Sequence, residues 1–284
     1  MIRMENAIDA LKKLGIAAQL YGEGKDIVIC VHGWLDNSNS FKPMLDKANT
    51  DFTYIAVDLK GHGQSQWRSG DYYFIDYVYD LLTIMDELGI EQCHLLGHSL
   101  GAMVCGLFSA LYPQRIKSLV MLEGIGLVCT EPDQMKQQVM ESFEQRAKID
   151  RFKPRLYANF ETLAKVRSNV GDISTEDAAL LMQRNTQKVE GGFSLTTDPQ
   201  LKARSGFRYT QAQALALLKD VNVPSLLILG TKGYDFVQQN IAVFGRSFNR
   251  LEVEKISGGH HCHMDNPKVC IELIERHMNR NVVT

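Results

Sequence analysis

Six short runs of apolar, mostly β-branched residues recur along the chain, and each ends on a small, polar or charged residue. Ile27–Val31 runs into His32-Gly33, Tyr54–Val57 into Asp58, and Cys93–Leu96 into Gly97. Ser118–Leu122 runs into Glu123, Ser225–Leu229 into Gly230, and Leu251–Ile256 into Ser257-Gly258-Gly259. Near-continuous apolar runs of this length predict strands covered on both faces, the mark of a mainly parallel sheet. Stretches with helical spacing lie between them. Asp76 to Leu88 carries Val78, Leu81, Leu82, Met85 and Leu88 and stops at Gly89. Leu100 to Leu111 is rich in small residues and ends near Pro113, and Pro267 to Met278 opens on a proline, which a first helical turn accepts. Strand, helix, strand in this order predicts an α/β protein with a doubly wound sheet.

One region breaks the alternation. Thr130 to Gln213 holds no convincing strand and is rich in polar and charged residues at helical spacing. At about 80 residues it is longer than an ordinary connection in such a fold. The expectation is an inserted helical cap over 130–213, with 1–129 and 214–284 forming the core. A chain of 284 residues buries enough surface to need neither disulfides nor a structural metal. The 31 Lys+Arg against 33 Asp+Glu leave a net charge of −2, which argues against nucleic acid as the main partner. None of the six cysteines forms a C-x-x-C pair, so zinc ribbons and thioredoxin-like motifs are not expected. Free cysteines in apolar runs fit a reducing compartment. Met1 to Lys13 lacks the basic and apolar segments of a signal peptide, and no apolar run nears the ~20 residues of a membrane span. A cytoplasmic protein with no membrane partner is the expectation.

The chemistry concentrates at Gly97-His98-Ser99-Leu100-Gly101. This G-x-S-x-G follows a predicted strand and precedes a predicted helix, the setting of a nucleophile elbow. Glycines flank the serine because the turn leaves no room for side chains there. The helix behind Ser99 favours developing negative charge. A serine nucleophile needs a base, and Gly259-His260-His261-Cys262-His263 follows the last strand. His260 stands first after the glycine pair; His263 could equally structure the loop. Three histidines could also suggest a metal site, but no complementary Cys or carboxylate stands at ligand spacing, so neither metal nor cofactor is expected. The acid that orients the imidazole should lie between the serine and the histidine in the chain. Glu123 and Asp235 both satisfy that order at strand ends. Either could instead cap the turn or helix that follows it. The oxyanion hole calls for backbone N–H groups, expected from Leu100 and from Trp34 in the His32-Gly33-Trp34 turn.

Three motifs carry a resemblance: His32-Gly33-Trp34-Leu35-Asp36-Asn37 with Ser40-Phe41, Asp58 to Ser65, and Gly97 to Gly101. Gly259-His260 with His263, Asp265 and Pro267 extends it. In these the chain resembles the α/β-hydrolase fold superfamily, and within it the serine hydrolase-like group of esterase relatives. The resemblance covers nearly all of the core and none of the cap. It implies Ser99 as nucleophile and His260, seven residues before Pro267, as base. One departure concerns the acid. Members with an acid after the penultimate strand usually carry G-x-x-D there, but Gly230-Thr231-Lys232 is followed by Gly233, with Asp235 two residues later. Met121-Leu122-Glu123-Gly124-Ile125 is similar to the segment that bears the acid in some haloalkane dehalogenases, which favours Glu123 over Asp235. Dehalogenases and epoxide hydrolases of this fold use an elbow aspartate. Ser99 therefore implies acyl transfer to water, with a small-molecule acyl ester as the expected substrate. C–C bond, thioester or lactone hydrolysis, or a non-catalytic ligand-binding role, would use the same scaffold.

Overall fold

The computed structural model describes residues 4–151 and 155–281. The chain opens with α1 (Met4–Lys13), β1 (Ala18–Tyr21), β2 (Asp26–Val31), α2 (Lys42–Leu45) and β3 (Phe52–Val57). It continues through α3 (Phe74–Glu87), β4 (Cys93–His98), α4 (Leu100–Leu111) and β5 (Ile116–Leu122). Next come α5 (Met135–Asp150), α6 (Phe160–Asn169), α7 (Thr175–Arg184), β6 (Thr186–Val189), β7 (Gly192–Leu195) and α8 (Gln211–Leu217). It ends with β8 (Ser225–Gly230), α9 (Asp235–Phe244), β9 (Leu251–Ile256), α10 (Cys262–Asp265) and α11 (Pro267–Asn279).

Seven strands form one sheet in the order β1-β3-β2-β4-β5-β8-β9. All neighbours pair in parallel except β1, which runs antiparallel to β3 at one edge. The predicted strands are β2, β3, β4, β5, β8 and β9. Alternate residues of the central strands serve two separate cores. Ile29 and Val31 of β2, Leu119 and Met121 of β5, and Leu227 and Leu229 of β8 enter one cluster with α3 and α4. Val28 and Cys30, Val120 and Leu122, and Leu226 and Ile228 enter the other, with α11. A sheet with both faces apolar has to be covered on both, and that is why these runs show no polar alternation.

Two expectations need correction. β1 was not anticipated: its four residues are all half-buried, so it carries neither an apolar run nor a clear alternation. The 130–213 segment does contain strands, the antiparallel hairpin β6–β7. Its strands are four residues each and none of those residues is fully buried, and the turn at Glu190-Gly191 was the available signal, with Gly191 at φ 86°. β9 also differs in character. Its Glu252, Glu254 and Lys255 are exposed, as suits an edge strand that must not recruit another chain.

The 130–213 segment is fastened to the rest of the chain by buried polar contacts. Asp58, fully buried, accepts from Arg184 Nε at 2.7 Å and from the Ser38 and Gln64 amides at 2.8 Å each. Asn37 and Asn39 donate to the carbonyls of Leu181 and Leu180 at 2.9 and 2.7 Å. Removing one partner of a buried ion pair leaves the other charge uncompensated. Arg184→Met is therefore expected to lower stability by about 3 kcal/mol. Adding Asp58→Asn to it should recover part of that loss in urea melts; a single variant as stable as the wild type would refute the assignment.

Candidate active site

Parallel strands deliver their C-terminal ends to one edge of the sheet, where ligands of open α/β folds bind. Four such ends converge here. β2 leads into His32 and Trp34, β4 into Ser99, β5 into Glu123, and β9 into the loop that carries His260.

Ser99 lies between β4 and α4 at φ 52° and ψ −112°, a conformation that L-residues seldom hold. The neighbouring glycines make this turn possible. A Cβ on Gly97 would collide with the Gly101 carbonyl, and one on Gly101 with the Val31 carbonyl. The Ser99 amide donates to the Leu122 carbonyl at 2.8 Å, tying the elbow to β5.

His260 links the serine to a carboxylate. Its Nε2 lies 2.9 Å from Ser99 Oγ and its Nδ1 3.2 Å from Glu123 Oε2. Glu123 is buried, and its other oxygen accepts the Gly230 amide at 2.7 Å. With the proton on Nδ1 facing the carboxylate, Nε2 is left free to accept from the serine hydroxyl. The Tyr234 ring stacks on the imidazole with centroids 4.2 Å apart and an interplanar angle of 19°. Asp235 is not brought to this chain of contacts. It is exposed and begins α9. The departure from G-x-x-D now has a spatial reason. Gly233 occupies the acid's usual position, and a Cβ there would collide with the Glu123 carboxylate. The space that the missing side chain vacates is filled by Glu123.

Leu100 is the first residue of α4, so its N–H has no partner one turn earlier in the helix. Trp34 and Leu100 line the same cavity as Ser99. The Trp34 indole is half exposed and donates to the Leu201 carbonyl at 3.0 Å, bridging the first loop to the 130–213 segment.

A second polar layer lies behind His260, and the sequence reading had not assigned it. Asp36 Oδ1 accepts from Arg167 Nη2 at 2.8 Å, while its Oδ2 lies 3.0 Å from His261 Nε2 and 3.6 Å from His98 Nδ1. His98 Nε2 lies 2.9 Å from the His260 carbonyl, and the His260 amide donates to Asp172 Oδ2 at 2.8 Å. Arg167 and Asp172 both belong to the 130–213 segment. Asp36 is held well below the ordinary carboxylate range: burial opposes its charge, but His261, His98 and Arg167 together outweigh burial. His261 is raised for the matching reason, Asp36 prevailing over desolvation. Asp36 was visible as part of the first motif. Arg167 and Asp172 sat in no motif, and only the folded chain brings them here.

Asp36, His98 and His261 present ligand atoms within 4.8 Å of one another, so the carboxylate that a histidine metal site would need does stand nearby in space. The Arg167 guanidinium already pairs with the other oxygen of that carboxylate, Oδ1, at 2.8 Å. His263 is buried close by, with centroids 4.4 Å from His98, and its pKa is pushed well down by burial and next by the neighbouring His98 and His261.

A seven-stranded, mostly parallel sheet with this constellation at its C-terminal edge defines an alpha/beta hydrolase. The alpha/beta hydrolase fold family matches residues 26–267, and the chain belongs to it. Among its relatives is a serine hydrolase-like protein of Danio rerio, 29% identical over 87% of this chain and 79% of that protein. Serine hydrolase-like protein 2 of Homo sapiens is 27% identical over 91% of this chain and 89% of its own. A crystal structure of the hypothetical protein PA1622 from Pseudomonas aeruginosa PAO1 superimposes with a TM-score of 0.83. It is 33% identical and covers 92% of this chain and 93% of its own.

Proposed function

We propose that the chain is a serine hydrolase that cleaves small to medium acyl esters through an acyl-enzyme on Ser99. The observation that carries this reading is the relay in which one imidazole sits 2.9 Å from Ser99 Oγ and 3.2 Å from the buried Glu123 carboxylate. Ser99 Oγ attacks the ester carbonyl while His260 Nε2 takes its proton, and Glu123 stabilises the imidazolium. The amides of Leu100 and Trp34 receive the oxyanion. His260 then returns the proton to the leaving alcohol. A water that it deprotonates releases the acid and restores Ser99.

The 130–213 segment acts as the cap. It supplies Leu163, Val166, Val170 and Leu201 to a cavity of about 790 Å³ that reaches Ser99 and His260. That volume suits a drug-sized molecule and not a macromolecule, which supports a small-molecule partner. Among the described residues, no helix is long and apolar enough to cross a membrane. The six free cysteines, five of them buried, support the reading of a reducing, cytoplasmic setting.

A fluorophosphonate probe and a panel of p-nitrophenyl acyl esters test the proposal. The wild type should be labelled and should turn over the shorter esters. Ser99→Ala should lose labelling and at least a thousandfold in kcat. Labelling that persists in Ser99→Ala would remove Ser99 from its role.

A further inference from the structure

The cavity wall is electrically lopsided. Arg167, Lys202, Arg204 and Arg208 line it against a single carboxylate, Asp36. Asp36 is committed to Arg167 at 2.8 Å, and Arg204 Nη1 pairs with Glu141 Oε2 at 2.6 Å. Arg208 and Lys202 form no ion pair with any of the described residues.

Arg208 is the more telling of the two. Lys202 is exposed, whereas Arg208 is half-buried just before α8. Its backbone is held where the inserted segment rejoins the core: the adjacent Tyr209 carbonyl accepts the Thr130 amide at 3.0 Å. Burial, and next the neighbouring Arg204, work against its charge. A partly desolvated guanidinium beside a second cation, facing a cavity, is costly unless an anion enters. A guanidinium also matches the paired oxygens of a carboxylate or phosphate. The remaining wall near it is apolar and aromatic, including Leu127, Val128, Phe207 and Tyr209.

We propose that Arg208, aided by Lys202, is a specificity-determining cation, and that the substrate carries an oxyanion besides its scissile acyl group. This rests on the serine hydrolase reading for the word substrate, but not for the anion site itself. The oxyanion can be a carboxylate on the acyl chain or a phosphate on the leaving group, and matched pairs separate the two. Mono-p-nitrophenyl adipate is compared with p-nitrophenyl hexanoate. Hexanoyl-coenzyme A is compared with hexanoyl-N-acetylcysteamine.

In the wild type, the charged member of at least one pair should be preferred tenfold or more in kcat/KM, chiefly through KM. Arg208→Gln should cut that charged-to-neutral ratio at least tenfold, and Arg208→Lys should keep part of it. Raised salt should erode the preference as well. No preference in either pair, or an equal loss on both members in Arg208→Gln, would overturn the proposal. A ligand arm is independent of turnover. Free adipate or coenzyme A should raise the melting temperature of the wild type and not of Arg208→Gln. A chain that hydrolyses nothing yet shows this difference would retain the anion site and lose the hydrolase reading. A chain that shows no ligand-induced shift and no charge preference would lose the anion site.

Discussion

Glu123→Gln is expected to lower kcat by about 10³–10⁴ while Asp235→Asn changes it less than about twofold. The amide is nearly isosteric with the carboxylate. Its oxygen can still accept the Gly230 amide that Glu123 Oε1 accepts at 2.7 Å, so the fold should survive. The change falls on the other side. An –NH₂ group facing His260 Nδ1 donates where the carboxylate accepted, and so favours the tautomer protonated at Nε2. That tautomer cannot take the proton of Ser99 Oγ, 2.9 Å away. Asp235 is exposed at the start of α9 and touches none of this. Steady-state kinetics on one ester with matched melting temperatures would decide. Equal small losses in both variants would remove both carboxylates from the proposed relay.

Stability is expected to fall steeply on acidification from about pH 6.5 to 5. Six of the eight histidines are pushed down by burial. His62 falls to about 3, His94 and His98 to about 4, and His32, His263 and His277 are lowered as well. A histidine with a depressed pKa is neutral in the folded chain where the unfolded chain already binds a proton. Its contribution is present above about pH 6.5 and is lost as the pH falls towards the folded value. His261 has the opposite sign. Its pKa is raised, so its contribution is complete below about 6.5 and disappears as the pH rises through the folded value. Six against one sets the net direction. Each depressed group contributes a slope of up to about 1.4 kcal/mol per pH unit. Together they should lower the melting temperature by roughly 10 °C or more between pH 7 and 5. His94→Gln, far along the sheet from Ser99, should flatten the curve by about one proton's slope. A melting temperature that does not change over this range would contradict the burial assignments.

What the sequence disclosed followed from locality. The strand runs are legible because both faces of each central strand are buried, and the elbow because its constraints act on five consecutive residues. Helix α4 matches its expected limits, and α3 and α11 match within two residues. The acid was ambiguous because the choice depends on which carboxylate reaches across β8. Gly233 bears on that choice in a form that only three dimensions expose, an absent side chain whose place the Glu123 carboxylate occupies. Asp172 and Arg167 were illegible for a related reason. They act on His260 and Asp36 across 88 and 131 positions of chain, and nothing in their neighbours marks them. The hairpin β6–β7 and the edge strand β1 escaped because partly exposed four-residue strands impose little pattern.

The contact between Asp172 and the His260 amide constrains how the protein can be altered. The 130–213 segment supplies much of the cavity wall, so it is the natural part to exchange when a different substrate is wanted. The same segment also steadies the loop that bears the proposed base, through Asp172, and anchors Asp36 and Asp58 through Arg167 and Arg184. A transplanted segment would thus bring a new pocket together with a misplaced imidazole, unless residues 167, 172 and 184 were carried over unchanged. Much of the pocket wall and the support of His260 are written into one stretch of chain, and selection on either acts on both.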